Sequence, residues 1–483
     1  MFKIIAFINS AIYPVLAIAL IPSILFSFYI ENYRFANLLV ILLFITLFIS
    51  LFIRKKIIPT KQLSTIQGFA AVGISWIFIS LFGTLPYLFD QNNLSYIDIL
   101  FETISGFTTT GASIITEIEL MNPALLLWRS TTQWLGGMGI VVLTITVLPL
   151  LGSGGITLFK AESPGPTTDR LTPKFKDTAK LLWLTYAGLT LVETFFLYLS
   201  GLDLFTSLNH SLTTLSTGGF STLNSSVSEF SQMAKWIIIA FMFIAGLSFT
   251  LVLKTFNSIK ALLESTEFKF YLFIVISTVL IFIPKSISIS ENFWEALNTA
   301  FFTSLTLITT TGYTNVDYQM WNIDYRIFIL GLMFLGGMAG STAGGIKTIR
   351  VIALLKSVRN EIRKIIYPNA IFKIRMSRSV LPEKMIESVQ TFFILYVSIF
   401  VLGSFALSTS TNLAGINLSF EGVLSAVASA MNNIGPGLNE VGPTSNYAFF
   451  DNYSKMILSF LMIVGRLEIF PIAILFYRKT WKS

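Results

Sequence analysis

The chain has 483 residues, of which 54% are hydrophobic and only 12% charged, with a mean hydropathy of +0.74. A soluble domain carries about twice that share of charge, so most of this surface is built for a solvent other than water. The absence of cysteine excludes disulfides, thiolate metal sites and Cys nucleophiles, and one histidine, His210, leaves too few ligands for a His-based metal centre.

A hydrocarbon core of about 30 Å is crossed by roughly 20 apolar residues in a helix. Ten stretches meet that requirement, beginning near Ile4, Arg34, Gln67, Pro123, Leu181, Ala234, Phe270, Asp324, Val389 and Ser454. The first lacks the short apolar region and small-residue cleavage site of a signal peptide and reads as a retained span. Charge then orients the spans. Lys3, residues 54–61, 160–180, 254–269, 347–384 and 478–482 hold 26 of the 33 Lys and Arg but only 7 of the 25 acids. These clusters fall on alternate loops, which places both termini on the cytoplasmic side of a plasma (inner) membrane. The net charge of +8 is therefore a topology signal, with membrane lipid as the surrounding partner and no nucleic acid expected.

Between spans lie four amphipathic segments too short to cross: Tyr96 to Phe107, Leu204 to Leu215, Phe293 to Ile308 and Leu418 to Asn433. Each runs into a polar stretch with glycine. In order these are Thr109-Thr110-Gly111-Ala112, Ser216-Thr217-Gly218-Gly219, Thr310-Thr311-Gly312-Tyr313 and Asn433-Ile434-Gly435-Pro436. The following span then opens with a cation near an aromatic: Trp128-Arg129, Lys235-Trp236, Tyr325-Arg326 and Tyr453 with Lys455. This is a fourfold internal repeat of about a hundred residues.

Irregular backbone at membrane depth is tolerated only inside protein or along a water-filled cavity. A half-helix entering from outside aims the negative end of its dipole at the membrane interior. Glycine, without a Cβ, lets consecutive carbonyls face one axis. Four such strands can replace the water shell of a dehydrated cation. The competing reading of a single copy is a tight turn in an external loop; four copies in the same topological position argue against it. In the second copy Gly218 and Gly219 compete, and matching Ser-Thr-Gly to Thr-Thr-Gly selects Gly218.

These stretches resemble the TrkH/KtrB superfamily of K⁺ transporters over nearly the whole chain. Gln133-Trp-Leu-Gly-Gly-Met-Gly-Ile-Val-Val142 resembles the start of its first inner helix, and Ala161 to Pro166 with Asp169 to Pro173 its first cytoplasmic loop. Gly336 to Lys347 resembles its broken third inner helix, and Asn432-Asn-Ile-Gly-Pro-Gly437 its fourth filter. Two leading spans favour the TrkH branch. The resemblance implies an all-α polytopic membrane protein with two leading helices, residues 1–66, before four helix–pore loop–helix repeats in pseudo-fourfold arrangement. The repeats divide as 67–152, 153–266, 267–385 and 386–483. It implies K⁺ uptake through a filter of Thr109, Thr110, Gly111, Ser216, Thr217, Gly218, Thr310, Thr311, Gly312, Asn433, Ile434 and Gly435. It also implies a homodimer and a cytoplasmic nucleotide-binding partner similar to TrkA. K⁺ is then the transported ion, held at the filter only, and no cofactor is expected on this chain.

Residues 336–347 hold five glycines with Ser341 and Thr342, a composition that breaks a helix. Two readings compete: a gate comprising Gly340, Ser341, Thr342, Gly344 and Gly345, favoured by the resemblance, and a close contact of small residues between helices. A phosphate-binding loop is excluded, because Ile346 separates the last glycine from Lys347 and a membrane helix precedes the run. Arg466 is the basic residue deep in a span, a functional position by default. The resemblance places it in the pore as part of the gate; the alternative is a structural pair with Glu468 or loop carbonyls. Glu193 and His210 read as structural. An enzyme is not expected, since Glu102, Glu193 and Arg466 are too scattered to form a catalytic cluster. The rival transport reading is a secondary transporter of another monovalent cation.

Overall fold

The computed structural model describes residues 2–57, 65–90, 94–151, 175–377 and 379–481, and they are overwhelmingly helical. Two leading helical stretches, Ile5–Tyr29 and Tyr33–Lys56, pack against each other and onto the first repeat. Asn32 caps the second by accepting from Phe35 N–H, and Arg54, Lys55 and Lys56 fill its last turn, where cations complement the helix dipole.

Each repeat is an outer helix, a pore helix, an extended strand and an inner helix. The pore helices are Tyr96–Phe107, Leu204–Leu215, Phe293–Ile308 and Phe420–Asn432. All four start the same way. Ser95, Asp203, Asn292 and Ser419 each accept from a backbone N–H three residues on, which satisfies a first-turn donor that has no partner within the helix. All four are buried through most of their length although Ser, Thr and Asn crowd them. Their hydroxyls return to the carbonyl four residues back, as in Thr103 to Ile99 and Ser211 to Ser207.

Among the described residues six helical stretches are long and apolar enough to cross a membrane: the two leading ones, Ile66–Phe89, Asp177–Leu199, Thr266–Ile289 and Glu383–Leu413. Two bent pairs raise the number to eight, Gln232–Ala245 with Phe249–Phe256 at 102° and Asn452–Arg466 with Phe470–Phe476 at 115°. The remaining two expected spans correspond to the inner helices of repeats 1 and 3. The former is Pro123–Leu151, while the latter stops at Leu332 and resumes at Thr348. Inner helices 2, 3 and 4 thus all break beneath the pore helices.

The repeats follow one another around an axis. Inner helix 1 packs on pore helix 2, inner helix 2 on pore helix 3, and inner helix 4 on pore helix 1. Three of the four cations that open the inner helices tie neighbouring repeats together, while Lys235 donates to Ser228 O of its own repeat. Arg129 Nη1 donates to Ser221 O at 2.9 Å, Arg326 pairs with Glu421 at 2.9 Å and Lys455 with Asp98 at 2.6 Å. On the side of the inner-helix breaks, helix Thr348–Ile366 and the short hairpin pairing Arg375 with Val380 share one apolar cluster of Ile349, Ile352, Ile374, Met376 and Leu381.

Candidate ion-conduction site

Every pore helix ends in the same hydrogen-bonded turn. Thr110, Gly218, Thr311 and Ile434 N–H return to the carbonyls of Ser105, Thr213, Thr306 and Ser429 at 2.8–3.0 Å. The residue before each donor is left-handed: Thr109 (φ 55°), Thr217 (φ 53°), Thr310 (φ 55°) and Asn433 (φ 54°). This is a Schellman turn, whose left-handed position ordinarily belongs to glycine. Three β-branched threonines held there cost of order 1–3 kcal/mol each, and such strain clusters at functional sites. Thr109 Oγ1 and Asn433 Oδ1 are also buried without a hydrogen-bond partner among the described residues.

Two residues further on stands a second left-handed position, Gly111, Gly219, Gly312 and Gly435 at φ 81°, 74°, 80° and 99°. The register corrects one expectation: in repeat 2 the aligned triplet is Thr217-Gly218-Gly219, so Ser216 is the helix cap and Gly219, not Gly218, is the equivalent glycine. Matching Ser-Thr-Gly to Thr-Thr-Gly misplaced it by one because repeat 2 has glycine at both candidate positions, and only the backbone angle separates them.

The four glycines close a ring. A Cβ on Gly111 would overlap the carbonyl oxygen of Gly218, one on Gly219 that of Thr311, one on Gly312 that of Ile434, and one on Gly435 would approach that of Thr110. Each third residue lies against the second residue of the next repeat, in the order 1, 2, 3, 4 and back to 1. Side chains brace the strands from behind. Gln133 donates to Gly218 O at 2.6 Å and accepts from Phe220 N–H at 3.0 Å, while Tyr447 Oη and Ser429 Oγ donate to Gly435 O at 2.7 and 2.6 Å. Beside the first strand the Glu102 carboxylate is fully buried. It accepts from Arg129 Nε at 2.7 Å and from Ile114 N–H at 2.9 Å.

Beneath this ring lies the broken segment of repeat 3. Its base is zipped by Gly336 N–H to Ile346 O and Ile346 N–H to Phe334 O, at 3.0 and 3.1 Å. Gly340 and Gly345 supply left-handed turns at φ 77° and 66°. Thr342 Oγ1 lies 2.9 Å from the Leu215 carbonyl at the end of pore helix 2, and Gly344 N–H donates to Thr310 Oγ1 at 2.6 Å. A Cβ on Gly344 would overlap Asn432 O at the end of pore helix 4, which explains glycine there without reference to flexibility. Ser341 turns back on its own loop, with its hydroxyl on Met338 O at 2.6 Å.

Arg466 completes the layer. Its Nη1 donates to Thr342 O at 2.8 Å and its Nη2 to Gly136 O at 2.7 Å, so one buried guanidinium joins inner helix 4, the loop and inner helix 1. Glu468 is not its ion-pair partner; it pairs with Arg350 at the start of the helix beyond the loop. His210 is packed inside pore helix 2, its ring nitrogens 2.8 Å from Thr206 O and 3.0 Å from Ser221 Oγ. Glu193 is fully buried with neither carboxylate oxygen hydrogen-bonded among the described residues. The 161–166 and 169–173 stretches lie outside the described residues. Sequence reasoning overlooked the breaks in inner helices 2 and 4; Gly246 signals the first, whereas Glu468 and Ile469, left-handed at φ 54° and 71°, carry no glycine to announce the second.

The model of the TrkH family, described as cation transport protein, matches residues 38–290 and 292–483. The chain is 36% identical over 431 residues to the Trk system potassium uptake protein TrkH of Salmonella typhimurium, covering 87% of each sequence. Identity to the Escherichia coli K12 protein of the same name is 35% over 431 residues, again with 87% of each covered. The crystal structure of the potassium transporter TrkH from Vibrio parahaemolyticus is similar along 100% of both chains, at a TM-score of 0.86 and 30% identity. With its four-strand ring, broken third inner helix and matched length, this chain belongs to the TrkH family of membrane cation transporters.

Proposed function

We propose that the chain takes up K⁺ through the ring formed by Thr109–Gly111, Thr217–Gly219, Thr310–Gly312 and Asn433–Gly435, with the 336–347 loop and Arg466 as the gate. The observation that carries this reading is the cyclic contact of each glycine with the next repeat's carbonyl. Four strands at the ends of four inward-pointing helix dipoles supply oxygens in place of water, in a site closed enough to discriminate ion size. Relatives named potassium uptake proteins support K⁺ as the ion. Within this reading the repeats divide at residues 66, 152, 266 and 385, both termini face the cytoplasm of the inner membrane, and the protein works as a homodimer. A nucleotide-binding TrkA-like partner then docks on the basic 347–384 face.

The loop would close the path because it touches pore helices 2 and 4, Thr310 of strand 3 and, through Arg466, inner helix 1. Gly312→Ser tests the filter. Its Cβ would meet the Ile434 carbonyl, so reversal potentials in mixed K⁺ and Na⁺ should show reduced K⁺ preference. An unchanged preference in a folded, well-expressed variant would remove Gly312 from the filter.

A further inference from the structure

We propose that Glu267 is the positioning residue that holds the gate loop shut and couples it to the cytoplasmic helix and hairpin, a role that rests on reading residues 336–347 as the gate. Glu267 is the second residue of the outer helix Thr266–Ile289. Ser265 already caps that helix by accepting from Phe268 N–H at 3.2 Å, so the carboxylate is not committed to the helix end. Instead Glu267 Oε1 accepts from Ala339 N–H at 2.7 Å and from Thr348 Oγ1 at 2.8 Å. Ala339 and Thr348 stand on either side of the Gly340–Lys347 stretch. One carboxylate oxygen therefore closes that stretch across its two ends. Ala339 and Thr348 are nine residues apart along the chain, and sharing one acceptor oxygen fixes the distance between them.

The neighbouring residue points to what would release the staple. Thr266 and Ser377 exchange hydrogen bonds, Thr266 N–H to Ser377 Oγ at 3.1 Å and Ser377 N–H to Thr266 Oγ1 at 2.8 Å. Ser377 is the left-handed residue (φ 50°) in the turn between Arg375–Met376 and Ser379–Val380. That hairpin shares its apolar cluster with helix Thr348–Ile366, which also begins at the second stapled residue. Two adjacent residues, Thr266 and Glu267, thus hold the hairpin and the loop respectively. A ligand that displaces the basic helix and its hairpin moves Thr348 and Ser377 together, straining the Thr348 bond to Glu267 and the Ser377 bonds to Thr266. Arg350 with Glu468, and Arg466 with Thr342 and Gly136, hold the opposite side and are not touched by Glu267.

The test uses the full chain in proteoliposomes without any cytoplasmic partner, with K⁺ flux as readout. Glu267→Ala should raise partner-independent flux by roughly tenfold, as expected for losing two hydrogen bonds to one buried acceptor. Glu267→Gln, which keeps an oxygen acceptor, should raise it less, and neither should alter the K⁺ to Na⁺ ratio. Because the chain has no cysteine, Ser341→Cys introduces a sole thiol. Its modification from the cytoplasmic side should be faster in the Glu267→Ala background. Thr348→Val gives a second route should Glu267→Ala fold poorly: it should produce a smaller rise that does not add to that of Glu267→Ala. Unchanged flux and thiol reactivity in Glu267→Ala, alongside raised flux when residues 338–345 are deleted, would overturn the staple while keeping the gate. Flux unchanged by that deletion would overturn the gate reading itself.

Discussion

At the scale of single residues, the site concentrates costs that a purely structural loop would avoid. Threonine occupies left-handed backbone three times, and Thr109 adds a buried hydroxyl with no partner among the described residues. Gly219 and Gly218 differ in what they abut: a Cβ at Gly219 meets the Thr311 carbonyl, whereas one at Gly218 meets the Gln133 side chain. Gly219→Ser should therefore lose more K⁺ preference than Gly218→Ser in mixed-ion flux assays; the reverse order would restore Gly218 as the filter glycine. The buried Glu102–Arg129 pair makes a stability prediction. Truncating one partner of such a pair strands the other charge and costs about 3–5 kcal/mol. Glu102→Ala should accordingly lower the unfolding temperature in detergent sharply, while Lys364→Ala, whose pair with Glu361 is exposed, should leave it within error.

At the scale of elements, much was legible. Apolar stretches and alternating basic loops marked most spans, and the four pore helices lie within two residues of where amphipathic patterning places them. Their caps, Ser95, Asp203, Asn292 and Ser419, emerged only in the structure, where each side chain accepts from the first turn. The register of the second strand was not legible, because Gly218 and Gly219 are chemically identical and only tertiary contact chooses between them. Nor was the break in inner helix 4, where Glu468 and Ile469 turn left-handed without a glycine, whereas Gly246 offered a signal for the break in inner helix 2 that went unread. Partners such as Glu267 with Ala339, or Arg350 with Glu468, are separated by 72 and 118 residues and leave no local pattern to read. Arg466 joins these elements, and its removal should loosen them. It also removes a fixed charge: two unit charges about 6 Å apart repel by roughly 3 kcal/mol at an effective dielectric of about 20, a factor of order one hundred in rate if all of it falls on the limiting barrier. Arg466→Ala should raise K⁺ flux and leave the preferred ion unchanged. Loss of flux from folded Arg466→Ala protein would recast the residue as structural.

At the scale of the whole molecule, the helix Thr348–Ile366 carries exposed Arg359 and Lys364, with Arg363 5.8 Å above the Phe372 ring. Reversing these three cations to Glu should weaken binding of the proposed cytoplasmic partner measured in detergent. Undiminished binding would move the docking site to another basic loop. In the proposed mechanism that surface couples to the pore through the 336–347 loop, which Glu267 and Arg466 hold at different points.

The ring of four strands has a consequence for how the molecule comes into being. Gly435 abuts Thr110 from the far end of the repeat series, and Asn433 Nδ2 donates to Thr110 Oγ1, 323 residues away, at 2.9 Å. The first strand therefore waits for the last. A chain inserted into the membrane one repeat at a time holds a ring with an open side until the fourth strand arrives. A protein lacking residues 386–483 keeps the contacts of strand 1 with strand 2 and of strand 2 with strand 3, but leaves Gly312 without the Ile434 carbonyl and Thr110 without Gly435.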